Sequence, residues 1–295
     1  MAEPLDEVDR GDGLVGLAWR RLRRDRLALF GLVLLGLILL GAVAGPLVLG
    51  MAGLDPDQQL LTQRFRPPGA GHPLGTDELG RDALARLVHG TRVSLSFGLT
   101  VGVVSLSLGT LLGLVSGYYR GGVDDTINAV IGTLQTVPIL FLLITLSITF
   151  RPPFLLLAVL FGLLGWTGIA RQVRGVTLSV RERQFVEAAR ALGAGEVHLL
   201  TRHLLPNVAS IVLVLAGFDF AGAILGEAAL SFLGFGVQVP TPSLGNLLLR
   251  SPDYLTRAPW LIAGPGLIVF LTGLGFFLVA DGLRDALDPR LERNA

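Results

Sequence analysis

Residues 27–49 read LALFGLVLLGLILLGAVAGPLVL and contain no charged side chain. About 20 apolar residues, each rising about 1.5 Å, cross a hydrocarbon layer roughly 30 Å thick. Inside that layer a backbone must satisfy its own hydrogen bonds, which leaves helices and closed barrels as spanning structures. Five further runs occupy 94–117, 127–150, 153–170, 207–230 and 261–281. The pattern predicts an all-α integral membrane protein with six transmembrane helices. Composition agrees, since 51% of residues are hydrophobic and only 16% are charged, against about 25% charged in soluble domains.

Several function classes fall away on composition. Net charge is +1 and no basic patch carries interleaved aromatics, which argues against nucleic-acid binding. Cysteine is absent, and all 24 basic residues are Arg. The chain therefore has no thiolate ligand, no cysteine nucleophile and no lysine for a P-loop or a Schiff base. No HExxH, GxSxG or paired acid–base set stands in a credible pocket, so an enzyme embedded in the membrane is disfavoured.

Arg bias gives an orientation. With the N-terminus inside, the segments 1–26, 118–125, 171–206 and 282–295 hold 16 Arg, and 50–92, 151–153 and 231–260 hold 8. Both termini are expected in the cytoplasm. Ala42-Val43-Ala44 also fits a signal-peptide cleavage site, but the charged 26-residue leader and the length of the run favour an uncleaved span. The polar stretch 1–13 is expected to be mobile. The external segment 50–92 leads from Pro67-Pro68-Gly69 into HPLGTDELGRD (72–82). There Thr76 or Asp77 is expected to cap a short amphipathic helix carrying Leu84, Leu87 and Val88. The external segment 231–260 is punctuated by Pro240, Pro242, Pro252 and Pro259, which forbids a seventh span. Within it, 243–249 is expected to lie along the interface as a half-turn or short helix. The many glycines read as close-packing positions between helices.

The inner segment 171–206 is far longer than a connector requires. Val180, Phe185, Ala188, Ala189 and Leu192 recur at helical spacing with Arg181, Glu182, Arg183, Glu187 and Arg190 between them. Gly193 offers a helix end. A second short helix over 196–205 is expected to stop at Pro206. The alternative is an amphipathic hairpin lying on the lipid surface.

Glu187-Ala188-Ala189, Gly193 and Leu205-Pro206 resemble the EAA loop of bacterial ABC importer permeases, with His203 standing where the general pattern favours Ile. HPLGTDELGRD (72–82), SFLGFGVQVPTPSLG (231–245) and DGLRDALDPRL (281–291) resemble the C-type permease subunit of dipeptide and oligopeptide importers. The resemblance covers nearly the whole chain. It implies a type I importer permease with a coupling helix between spans four and five, sited in the bacterial inner membrane. It also implies a second homologous permease, two cytoplasmic ATPases that hold ATP and Mg, and an external solute-binding protein. Glu187, Ala188, Ala189, Arg190, Gly193, Leu205 and Pro206 would form the ATPase-coupling element. Relatives of this type also serve nickel chelates and oligosaccharides. A transporter working without ATP is the rival reading.

Four polar residues inside the runs are candidates for the translocation path. Asp219 lies near the middle of the fifth run, where a charge usually faces a cavity or a partner. Glu227 lies near its outer end, expected within reach of water. Asn128 and Gln135 share one face of the third run, with interhelical hydrogen bonding as the favoured use. Pro138 is expected to kink that helix. His72, Asp77, Glu78 and Asp82 give no ligand geometry for a metal. His198 and His203 are five residues apart, about 140° around an α-helix, and are not expected to share a face.

Overall fold

The computed structural model describes residues 22–287. Helix α1 spans Arg26–Met51. Asp25 caps it, its carboxylate accepting from the Leu27 amide at 2.9 Å and the Ala28 amide at 3.3 Å. Helix α2 spans Ala83–Tyr119. Its cap is Asp82, which accepts from the Ala85 amide at 2.8 Å, so the expectation of Thr76 or Asp77 is corrected. The expected short amphipathic helix is also corrected, because it is the first part of α2. At 37 residues α2 is roughly 55 Å long, longer than the roughly 30 Å hydrocarbon layer is thick.

The third run is divided into α3, Gly121–Gln135, and α4, Ile139–Phe150, which meet at 73°. A simple kink was expected. Pro138 has no amide hydrogen and excludes helical geometry at Val137, so the helix stops and restarts. Helix α5 spans Phe154–Val180, ten residues past the end of its apolar run. Val173, Thr177 and Val180 stay buried at helical spacing, so the helix outlives the hydrophobicity. Helix α6 is Gln184–Ala191. A turn at Glu196–His198 and a π-helical turn at Leu199–Leu204 lead into α7, Leu205–Phe232. Helices α8, Ser251–Arg257, and α9, Trp260–Leu287, follow. The expected mobility of 1–13 and the end of the inner tail, from 288, lie outside the described residues.

Glycine sets how closely α2 meets its neighbours. Gly109, Gly113 and Gly117 form one ridge at four-residue spacing against α5. A β-carbon at these positions would lie 2.6 Å from Ile169, 2.6 Å from the Ala170 carbonyl and 2.7 Å from Thr177. Gly98 and Gly102 do the same toward Ile224 and Phe220 of α7. Small residues at such spacing are how helices approach closely where water gives no hydrophobic drive.

These contacts also fix direction. Residue numbers rise together along α2 and α5 and run oppositely between α2 and α7. Because α2 and α5 are parallel, the chain from Gly121 to Phe150 must return across the bundle. The broken α3–α4 pair is therefore a passage, and the described residues make six. Helix α9 lies antiparallel to α7, with Gly217 against Ala280, and to α1, with Gly31 against Gly275. The outward faces of α1 and α4 carry exposed Leu37, Leu40, Leu47, Phe141 and Phe150, suited to lipid or another membrane chain.

Candidate functional site

At one end of the bundle α6 stands outside the helical core. Val186 is its anchor. It is fully buried among Tyr118, Val173, Leu199, Leu204 and Val208, and Ala189 and Ala194 pack against the same cluster. Gly193 adopts φ +85°. Its amide donates to the Arg190 carbonyl at 3.0 Å, and the Ala194 amide donates to the Ala189 carbonyl at 3.1 Å. This pair of bonds is the Schellman closure that needs a left-handed residue after the helix. Glu187 and Ala188 face outward, and the Glu187 side chain has no partner among the described residues. Leu192 is 89% exposed and Val197 74%, so an apolar tip projects beside Gly193. Arg190 places its guanidinium carbon 6.0 Å from the Tyr118 ring centre. Burial, with Arg120 and Arg190 nearby, holds the Arg181 pKa below its ordinary value.

The second half of this segment departs from expectation. Helix does not stop at Pro206, which lies in the first turn of α7. The π turn makes this tolerable. The Leu205 amide reaches back five residues to the Leu200 carbonyl, widening the backbone where proline would otherwise crowd the preceding turn. Asn207 Nδ2 donates to the His203 carbonyl at 2.7 Å. The wider turn also brings together what an α-helix would separate. The rings of His198 and His203 lie 5.6 Å apart, centre to centre, so the expectation of separate faces is corrected.

Near the same end, Arg174 of α5 grips Asp124 of α3 through two hydrogen bonds, Nε to Oδ1 at 2.6 Å and Nη2 to Oδ2 at 2.5 Å. The Ser116 hydroxyl also donates to Asp124. Asn128 Nδ2 donates to Oδ1 of the same carboxylate at 2.6 Å. Asn128 thus serves its own helix. Gln135 bridges helices, donating to Thr167 at 3.2 Å and accepting from Arg171 at 2.7 Å. Sequence reasoning did not single out Asp124 or Arg174, since fifty residues separate them and no local spacing links them.

Further into the bundle, Asp219 is half-buried, with the Ser105 hydroxyl 2.5 Å from its Oδ2. That hydroxyl also lies 2.9 Å from the Val101 carbonyl, and its single hydrogen serves one of them at a time.

Glu227 is not where water reaches it. Its exposure is 0%, which corrects the expectation for this residue. Ser94 donates to Oε2 at 2.7 Å and Ser231 to Oε1 at 2.6 Å. Each serine in turn accepts a backbone amide, Ser94 from Leu244 at 3.0 Å and Ser231 from Val237 at 2.9 Å. One carboxylate thus secures both ends of 237–244 to the helices. The expected interfacial turn over 243–249 is instead tucked inward, with Ser243 and Leu244 buried and a short 3-10 turn at Asn246–Leu248.

The segment 72–82 is a hydrogen-bonded knot at this far end. His72 lies between Asp82 at 2.8 Å and Gln63 at 2.7 Å. Asp77 accepts from the Arg81 amide at 3.0 Å and from Arg81 Nε at 2.6 Å. Glu78 accepts from the Tyr254 hydroxyl, and burial and that carboxylate together push the tyrosine pKa up. A cavity of about 390 Å³ opens beside the knot, lined by Arg64, Arg86, Tyr254 and Trp260 among others. None of the four candidate path residues lines it.

Residues 109–293 match the family model for the inner-membrane component of binding-protein-dependent transport systems. The chain belongs to that family. Residues 13–68 match the N-terminal transmembrane domain of oligopeptide transport permease C. The permease is 39% identical over 284 residues to a putative peptide transport system permease protein of Brucella abortus, covering 96% of this chain and 95% of the relative. It is 40% identical over 275 residues to the oligopeptide permease OppC of Mycobacterium tuberculosis, covering 92% and 94%. It is 35% identical over 277 residues to the dipeptide permease DppC of Bacillus subtilis, covering 94% and 86%. The permease is thus a multi-span inner-membrane transport component, and its all-helical architecture accords with the family.

Proposed function

We propose that the permease supplies half of the path through which an ATP-driven importer carries peptides delivered by an external binding protein. A second, related permease would supply the other half. Two ATPase chains holding ATP and Mg would sit on the α6 end, and both termini would then be cytoplasmic. The observation that carries this reading is the construction of α6. Its inner face is fixed through Val186 and Ala189, while the side chains of Glu187, Ala188, Leu192 and Val197 stand exposed on the outside. Small Ala188 allows close backbone approach to a groove, and Glu187 supplies a charge-assisted hydrogen bond at its rim. Leu205 and Pro206, at the entrance of α7, receive the displacement and pass it into a spanning helix, a rigid-body route to alternating access.

Within the path, Asp219 is the residue suited to meet a peptide ammonium, because it is only partly buried and its carboxylate is held by one hydroxyl. Gln135 acts from the side, through the bonds that set α3 against α5, and Asn128 by steadying the Asp124 carboxylate that Arg174 grips. Glu227, sealed from solvent, anchors the outer loop. Peptides are favoured as cargo because the relatives above are named as peptide permeases.

The test is Gly193→Pro in the assembled transporter. Proline fixes φ near −65° where the structure requires +85°, and it deletes the amide that closes the Schellman motif. The variant is expected to insert normally and hydrolyse ATP without driving uptake. Uptake at the wild-type rate removes the coupling role. Uptake that follows an ion gradient and persists without ATP points to the ATP-independent reading. Competition by nickel chelates or oligosaccharides, with none by peptides, reassigns the cargo.

A further inference from the structure

The loop end of the permease is tied to a helix that is not its neighbour in sequence. Four contacts join the C-terminal end of α2 and its cap to α6 and the segments flanking it. The Arg181 guanidinium donates to the Tyr118 carbonyl. Arg120 donates to Glu182. The Tyr119 hydroxyl donates to Glu196 at 2.9 Å. Arg190 lies over the Tyr118 ring at 6.0 Å. The last two residues of α2, Tyr118 and Tyr119, and its cap Arg120 thus hold α6 on both sides, through Arg181 and Glu182 before it and Glu196 after it.

The backbone at this place is also unusual. Arg120 has φ +57° and ψ −169°, a region that glycine occupies readily and other residues rarely. It stands at the junction of α2 and α3 and is followed by Gly121 at φ +56°. Strain of this kind persists only where surrounding contacts over-determine it. Here the contacts are the Glu182 ion pair and, one turn on, the Arg174–Asp124 grip that holds the start of α3 to α5.

We propose that Tyr118-Tyr119-Arg120 is a clamp that routes movement of α6 into α2, so that the second span follows α6 through a direct tie as well as through its packing against α5. The inference rests on the coupling reading of α6. The residues are positioning residues, because they act through α6 and the segments flanking it. The ridge of Gly109, Gly113 and Gly117 makes the coupling rigid beyond the clamp, since it leaves no compressible side chain between α2 and α5.

The test measures cargo uptake and ATP hydrolysis together in the complete reconstituted transporter, with its binding protein, and takes uptake per ATP. Tyr119→Phe deletes one hydroxyl. Glu182→Gln deletes one charge at constant shape. Each is expected to lower uptake per ATP about two- to fivefold, the range that one exposed pair carries, with complex assembly unchanged. The charge swap Arg120→Glu with Glu182→Arg is expected to recover most of the loss, which a merely local structural defect would not do. Gly193→Pro is run beside them. Wild-type ratios in the clamp variants, with Gly193→Pro uncoupled, overturn the clamp and leave the coupling role of α6 standing. Wild-type ratios in all of them overturn both. A charge swap no better than Glu182→Gln overturns the Arg120–Glu182 link as the route.

Discussion

Replacing Glu227 with alanine removes the acceptor of two buried serine hydroxyls at once. Ser94 is 0% and Ser231 1% exposed, so water cannot stand in for the carboxylate. A buried polar group left unsatisfied costs roughly 1–3 kcal/mol, which for two hydroxyls gives about 2–6 kcal/mol. Either serine can turn toward the helix carbonyl four residues back, and burying Glu227 itself carried a cost. Both corrections favour the lower half, about 2–4 kcal/mol. Glu227→Gln keeps the shape and one acceptor oxygen, so one hydroxyl stays paired and the loss should be about half as large. The assay is equilibrium unfolding in detergent micelles, with amide exchange read at Val237 and Leu244. Those two amides donate to the serines and should lose protection in the alanine variant before the rest of α7 does. Stability of both variants within about 0.5 kcal/mol of wild type, the usual spread of a surface substitution, would refute the reasoning. So would unchanged exchange at both amides.

Gly113→Leu should abolish α2–α5 packing and leave little folded protein in a detergent thermal-unfolding assay, because even a β-carbon would lie 2.6 Å from the Ala170 carbonyl. Gly80→Ala should destabilise the outer knot by more than the roughly 1 kcal/mol of an unfavourable backbone alone. The new methyl would meet the Leu60 carbonyl at 1.9 Å, and protease accessibility of 60–82 reports it. Arg174→Ala leaves the Asp124 carboxylate without its two strongest donors and should cost about 2–3 kcal/mol. The double change with Asp124→Asn should cost less than the sum of the singles in the same unfolding assay.

The spanning architecture was legible because hydrocarbon imposes it. An apolar run of about 20 residues has few fates. Helix ends were less legible. Helix α5 runs on to Val180 because Val173 and Thr177 meet α2, a tertiary fact with no local signature. The cap at Asp82 rather than Asp77 depends on Asp77 being engaged by Arg81. The π turn at Leu199–Leu204 was invisible, and with it the approach of His198 and His203, because 3.6-residue periodicity was assumed through a segment ending in proline. Glu227 was misplaced for a similar reason. Depth along a helix was readable from sequence, but the serine pair from α2 and α7 and the loop folded over it were not. The Gly193 turn was readable, because a left-handed closure favours glycine and follows a short amphipathic stretch.

The proposed docking of α6 on an ATPase admits a direct measurement, because the chain contains no cysteine of its own. Leu192→Cys places a single thiol on the most exposed part of the loop, and Leu37→Cys places one on the outward face of α1 as a control. A short thiol cross-linker is added to membranes holding the whole transporter, and adducts are identified by mass. The expected result is an adduct between position 192 and an ATPase chain, absent from the control and shifting in yield when ATP is bound. A Leu192→Cys thiol that stays fully reactive to a soluble reagent in the assembled transporter, with no ATPase adduct in any nucleotide state, would contradict the coupling role of α6.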